Sequence, residues 1–104
     1  MSAVAILDRV TLRADEAHAW LDRLRDAYVP GAERRGMQLR GTWSSHVGVD
    51  AVEVCVLWEL ADVAAFWAMR AAVLADASVV AWWDATDVLA LDRHRRVYAA
   101  DGPS

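Results

Sequence analysis

Apolar and polar positions alternate along residues 4–12. Val4, Ile6, Asp8, Val10 and Leu12 share one side, and Ala5, Leu7, Arg9 and Thr11 the other. A period of two predicts a β-strand with one face turned to a core. From Asp15 the period lengthens. Ala17, Leu21, Leu24 and Tyr28 fall on one helical stripe, with Trp20 at its margin and Asp22, Arg25 and Asp26 opposite. Asp15 and Glu16 suit the positive end of a helix dipole. Pro30-Gly31 is expected to break or kink this helix, and residues 32–35 to add a turn before Gly36. Residues 38–45 predict a second strand with Leu39, Gly41, Trp43 and Ser45 on one face.

After a turn at Gly48-Val49-Asp50 comes the most strand-like run in the chain, residues 52–60. It is rich in valine and free of Gly and Pro. Its short separation from the second strand predicts an antiparallel hairpin. Val52, Val54, Val56 and Trp58 are expected to face the helices. Glu53, Cys55, Leu57 and Glu59 are expected to face the other way. Asp62 can cap the following helix with its side-chain oxygen. Residues 63–75 are apolar nearly all round, with Arg70 the only charge, which predicts burial on more than one side. Asp76-Ala77-Ser78 interrupts, and Ser78 is expected to cap a short segment, 79–86, carrying Trp82 and Trp83. Residues 87–98 predict the last strand, and residues 99–104 a small polar tail that frays.

Strand, helix, strand, strand, helix, strand is a split βαβ repeat. The expected class is α+β: a ferredoxin-like βαββαβ protomer, one domain over 1–104, with a four-stranded antiparallel sheet and helices on one face. The bare face, with Ala5, Leu7, Cys55, Leu57, Leu89 and Leu91, is too apolar for water. A homodimer through the sheet faces would cover it.

Composition narrows the function. The chain has no Lys, eleven basic residues in all and a net charge of −4, so nothing attracts nucleic acid in general. A single cysteine excludes an intrachain disulfide and a multi-thiolate metal site. The three His show no metal-ligand spacing, and neither a phosphate loop nor a serine-nucleophile motif is present. No metal and no cofactor is expected. Neither a signal peptide nor a membrane-spanning run is evident, so a cytoplasmic location is the expectation. Six Trp exceed what so small a core needs, so a pocket for an apolar small-molecule ligand or a subunit interface should take some of them, and the set favours the pocket.

Leu57-Trp58-Glu59 at a strand end, Asp62 soon after, a helix with Arg70, and Asp76-Ala77 before an aromatic-rich segment together resemble NIPSNAP-like domains. These belong to the dimeric α+β barrel superfamily, alongside the antibiotic-biosynthesis monooxygenases. The resemblance covers nearly the whole chain. It implies a dimer whose two sheets close into a barrel and a ligand cavity between sheet and helices in each protomer. It also implies that Trp58 lines that cavity, as in the superfamily's cofactor-independent monooxygenases and haem-degrading oxygenases. The haem-degrading members place an Asn where Asp8 stands, an Arg matching Arg9, and an iron-binding His in the helix after the third strand. Residues 63–86 contain no His, so the cavity carries over and the haem does not.

Asp8 is the most pointed residue, a carboxylate among apolar neighbours and a candidate acid or base, its bland alternative being a structural ion pair with a nearby Arg or His. If the last strand pairs with the first, His94 or Asp92 is expected beside it, with His94 as its proton-transfer partner. Arg70 is a candidate oxyanion clamp, its bland alternative being a side chain that reaches out to solvent. Trp43, Val54, Trp58, Phe66, Trp67, Trp82, Trp83 and Asp92 are expected to shape the pocket. The leading expectation is a small-molecule enzyme of bacterial secondary metabolism. It would act on an apolar polycyclic or aromatic, polyketide-like intermediate by cofactor-independent acid/base chemistry, as a cyclase, isomerase or monooxygenase. The alternative is a non-catalytic homodimer that binds a hydrophobic ligand or serves assembly.

Overall fold

The computed structural model describes residues 2–101. Strand β1 spans Val4–Arg13 and β3 Ala51–Leu60. Both show strict alternation in burial, because one face meets the helices and the other does not. They pair antiparallel at the centre of a four-stranded sheet of order β2-β3-β1-β4, with β2 (Gln38–His46) and β4 (Asp92–Ala99) at the edges. The register sets Ile6 opposite Trp58, Val10 opposite Val54 and Leu12 opposite Val52. All six are buried, and each aliphatic side chain so placed contributes about 1.5–3 kcal/mol. The ferredoxin-like order and the division of residues 52–60 into two faces are as expected.

Helix α1 (Ala14–Arg23) runs through a π-turn at Leu24–Tyr28 into α2 (Val29–Arg34), so Pro30-Gly31 does not break it. The wider turn ends just before Pro30, which has no N–H to donate and sits at the start of α2, where none is needed. Trp20, expected at the margin of the buried stripe, is one of its most buried members, and Leu21 is half-buried. Gly36, at φ 88°, closes α2, with the Met37 N–H donating to the Ala32 carbonyl at 3.0 Å.

Asp62 caps α3 (Val63–Leu74), accepting from the Ala65 N–H at 2.7 Å. Asp76, not Ser78, caps α4 (Ala77–Leu89), accepting from the Ser78 N–H at 2.9 Å. Helix α4 therefore takes residues 87–89 from the expected last strand, which starts only at Asp92. Thr86, buried at the end of this added turn's approach, accepts from Trp20 Nε1 at 3.0 Å and ties α4 to α1. Helices α3 and α4 meet at 84°, and no single helix among the described residues is long and apolar enough to cross a membrane.

Four further expectations change. A bulge between Leu39 and Gly41 puts Leu39 opposite Trp58 on the helix side, while Trp43 stays on the bare face opposite Cys55. Leu89 and Leu91 lie in α4 and the following link and not on the bare sheet face. Helix α3 buries only Met69 fully, and Trp67 (63% exposed) and Leu74 (86%) remain open in the protomer. Of the expected tail, Ala99 belongs to β4, and residues 102–104 lie outside the described part.

Candidate functional site

Asp8 is buried on the helix side of β1, where alternation puts it, and register decides its neighbours. Across one ladder it faces Val56, and across the other Arg95. Arg95 donates from Nε to Asp8 Oδ1 at 2.6 Å and from Nη2 to Oδ2 at 2.9 Å. Trp58 Nε1, two residues along β3 from Val56, donates to the same Oδ2 at 3.0 Å. The buried carboxylate is thus held by a guanidinium fork and an indole, and the far side of the guanidinium meets the cavity described next. Burial by itself would lower the Arg95 pKa. The hydrogen bonds and charge of Asp8 outweigh burial and hold the guanidinium above its ordinary value, with Tyr28 adding a smaller effect in the same direction.

Around this pair the aromatic residues gather. Tyr28 stacks on Trp82 with centroids 5.4 Å apart and meets Trp58 (5.8 Å) and Trp83 (5.6 Å) edge-on. Between Tyr28, the two C-terminal helices and β4 lies an open cavity of about 360 Å³. Tyr28, Met69, Val73, Val79 and Trp83 wall it, and Arg70, Arg93, Arg95, Asp84 and Asp87 bring charge to it. Arg93 is held as Arg95 is: Nε donates to Asp87 Oδ1 at 2.6 Å and Nη2 to Oδ2 at 3.0 Å. Asp87 holds the Arg93 guanidinium above its ordinary pKa, chiefly through these hydrogen bonds, and Arg93 in turn lowers the pKa of Asp87. Both guanidiniums lie over the Trp83 ring, Arg93 at 4.7 Å and Arg95 at 5.2 Å from its centroid.

The expected partner of Asp8 is corrected. His94 and Asp92 lie on the bare face of β4, in register with Arg9 and Thr11, and touch each other at 3.0 Å. Trp43 is also on that face, 55% exposed, and so is not a wall of this cavity. Its ring folds over Gly41, where an added Cβ would come within 2.8 Å of it. Trp67 points out from α3, with Phe66 edge-on to it at 5.2 Å. Val54 and Trp58 are wholly buried beneath the site. Trp82 packs against the core beside Tyr28, its buried Nε1 without a partner. Of the expected residues, only Arg70 and Trp83 line the cavity itself, and Asp8 reaches it through Arg95.

Tyr28, Arg93 and Arg95 were not singled out from the sequence. Residues 92–96 read Asp-Arg-His-Arg-Arg, polar on both faces, so alternation carries no phase there. Tyr28 was legible as a core position, but nothing local marked the cavity beside it. Among the described residues no group of His, Cys, Asp and Glu could hold a metal ion, and no His or Cys lines the cavity. The residues present do not fit an iron held by imidazole or thiolate.

The NIPSNAP family profile matches residues 7–100. No curated protein matches the chain by sequence. Among solved structures, a NIPSNAP family protein of unknown function from Agrobacterium tumefaciens is 15% identical, with 94% of this chain and 87% of that one covered and a TM-score of 0.71. A dimeric ferredoxin-like protein from an uncultured marine organism is 11% identical over the whole of both chains, with a TM-score of 0.76. SnoaB, a cofactor-independent oxygenase from Streptomyces nogalater, is 14% identical, with 99% and 97% covered and a TM-score of 0.66. Identities this low show a shared fold.

Proposed function

The chain belongs to the NIPSNAP family, and from that premise we propose that it is a homodimeric small-molecule enzyme acting on an apolar, polycyclic or aromatic intermediate of bacterial secondary metabolism by cofactor-independent acid/base chemistry. One observation carries the reading. A cavity of about 360 Å³ with Tyr28 and Trp83 in its wall is also lined by Arg95, a cation fixed by a buried carboxylate. A volume of that order suits a flat ligand of two or three rings. A pre-aligned guanidinium in its lining would stabilise an enolate or phenolate formed when the ligand loses a proton. Fold likeness to a cofactor-independent oxygenase supports chemistry carried by the substrate and side chains alone.

The geometry favours a different division of labour from an Asp8–His94 pair. Asp8 accepts three hydrogen bonds and serves as a positioning residue for Arg95. Tyr28, whose phenol belongs to the cavity wall, is the proposed group for proton transfer, and Arg70 and Arg95 stabilise the oxyanion. The test is turnover of a panel of tricyclic phenols and anthrones, followed by ring absorbance and oxygen uptake. Tyr28→Phe is expected to lower kcat at least tenfold with little change in KM. Wild-type protein that binds these rings but never turns them over would instead support the second reading, a ligand-binding dimer, which the open cavity equally accommodates.

A further inference from the structure

Arg93 and Arg95 occupy alternate positions of β4, so their side chains leave the same face of the sheet. Each is fixed through the same edge: Nε and Nη2 go to a carboxylate, Asp87 for Arg93 and Asp8 for Arg95. Both lie over Trp83 and both line the cavity. A guanidinium has five N–H donors. Two are used in each fork, which leaves three per residue, including both on Nη1, beyond the clamping carboxylate. The clamps remove the freedom that an exposed arginine would otherwise lose on binding.

We propose that this clamped arginine pair is an anion subsite, and that the cavity's ligand is a flat aromatic monocarboxylate whose acid group lies against Arg93 and Arg95. The inference rests on the cavity being the ligand site. A wholly apolar ligand would strip water from these donors without replacing it, which is costly. A planar acceptor with two oxygens matches the planar donor edges. The local charges limit the ligand to a single negative charge. Arg70, Arg93 and Arg95 are matched by Asp84, Asp87 and Asp8, so binding rests on the free donor edges and not on net charge, and a doubly charged phosphate would add twice the uncompensated charge of a monocarboxylate.

The experiment titrates the intact protein with naphthoate and with its neutral isostere naphthamide, by calorimetry at low and high salt. Naphthoate is expected to bind at least tenfold more tightly, and the difference to shrink in high salt. Arg93→Gln is chosen because Arg93 is part-exposed and its clamp is Asp87, which leaves the hydrogen bonds of the buried Asp8–Arg95 pair in place. It is expected to abolish most of the preference while leaving naphthamide affinity within twofold, and Arg93→Lys to restore part of it. Arg96→Gln, on the bare face, is expected to change neither. Equal affinity for the two probes overturns the anion subsite and leaves the cavity reading standing. A preference unchanged in Arg93→Gln overturns it as well, because the charge is then read elsewhere. Binding of neither probe overturns both readings.

Discussion

Arg95 shows how a single position can govern a site. Its partner Asp8 is buried, and a buried ion pair adds little net stability, because both groups lose water. Removing one member is different, since it leaves the other charged and unpaired. Asp8→Asn is therefore expected to destabilise the fold by about 3–5 kcal/mol in urea unfolding. The double replacement Asp8→Leu with Arg95→Met is expected to recover most of that loss while abolishing carboxylate preference. If Asp8→Asn unfolded at the wild-type midpoint, the pair could not be holding Arg95 in place. Asp8 stood out in the sequence as a carboxylate on an apolar strand face. Its partner did not, because Arg93, His94, Arg95 and Arg96 are all possible partners and only the way the strand turns each one decides between them.

At the scale of elements, the helix ends decide most of what local pattern left open. Asp76 caps α4 and is hydrogen-bonded by Ser78, through side chain and backbone, with weaker help from Arg35 and Arg34. These partners lower its pKa below the ordinary 3.8. A carboxylate with a depressed folded pKa contributes stability that is complete above its unfolded value and lost as the pH falls through the folded one. Protection against amide exchange in the first turn of α4 is thus expected to fall below about pH 3.8, and Asp76→Ala to lack that protection already at neutral pH. Gly36 closes α2 at a positive φ with nothing near its missing Cβ. Gly36→Ala is expected to cost about 1–2 kcal/mol through backbone strain alone, read as a lower urea midpoint. The uninterrupted passage through Pro30 could not be foreseen from propensity. A π-turn looks like an ordinary helix locally, and both Leu24 and Tyr28 stay buried through it.

For the whole molecule, the bare sheet face is the unfinished surface. Leu7, Leu57, Cys55 and Trp43 lie there, bordered by the ion pairs Arg9–Glu53 (2.9 Å) and Arg40–Glu59 (2.7 Å). An apolar strip with a polar rim is the anatomy of an interface, and the dimeric ferredoxin-like neighbour shares this fold. The chain is expected to sediment as a dimer, and Leu57→Arg to shift it to monomer. Burial, and then the charge of Glu53, push the Cys55 thiol above its ordinary pKa, so alkylation at neutral pH is expected to be slow and to quicken in that monomeric variant.

The sequence by itself determined the element order, the two faces of β1 and β3, the buried carboxylate and the surplus of aromatic rings. Each of these is written in local periodicity or in residue chemistry, and neither depends on distant contacts. Only the tertiary structure decided that β4 starts after a longer α4, that Arg95 rather than His94 meets Asp8, and that Tyr28 and Arg93 share a cavity with Trp83. Those facts depend on register between strands far apart in the chain. A polar strand at a sheet edge contains no alternation from which that register can be read.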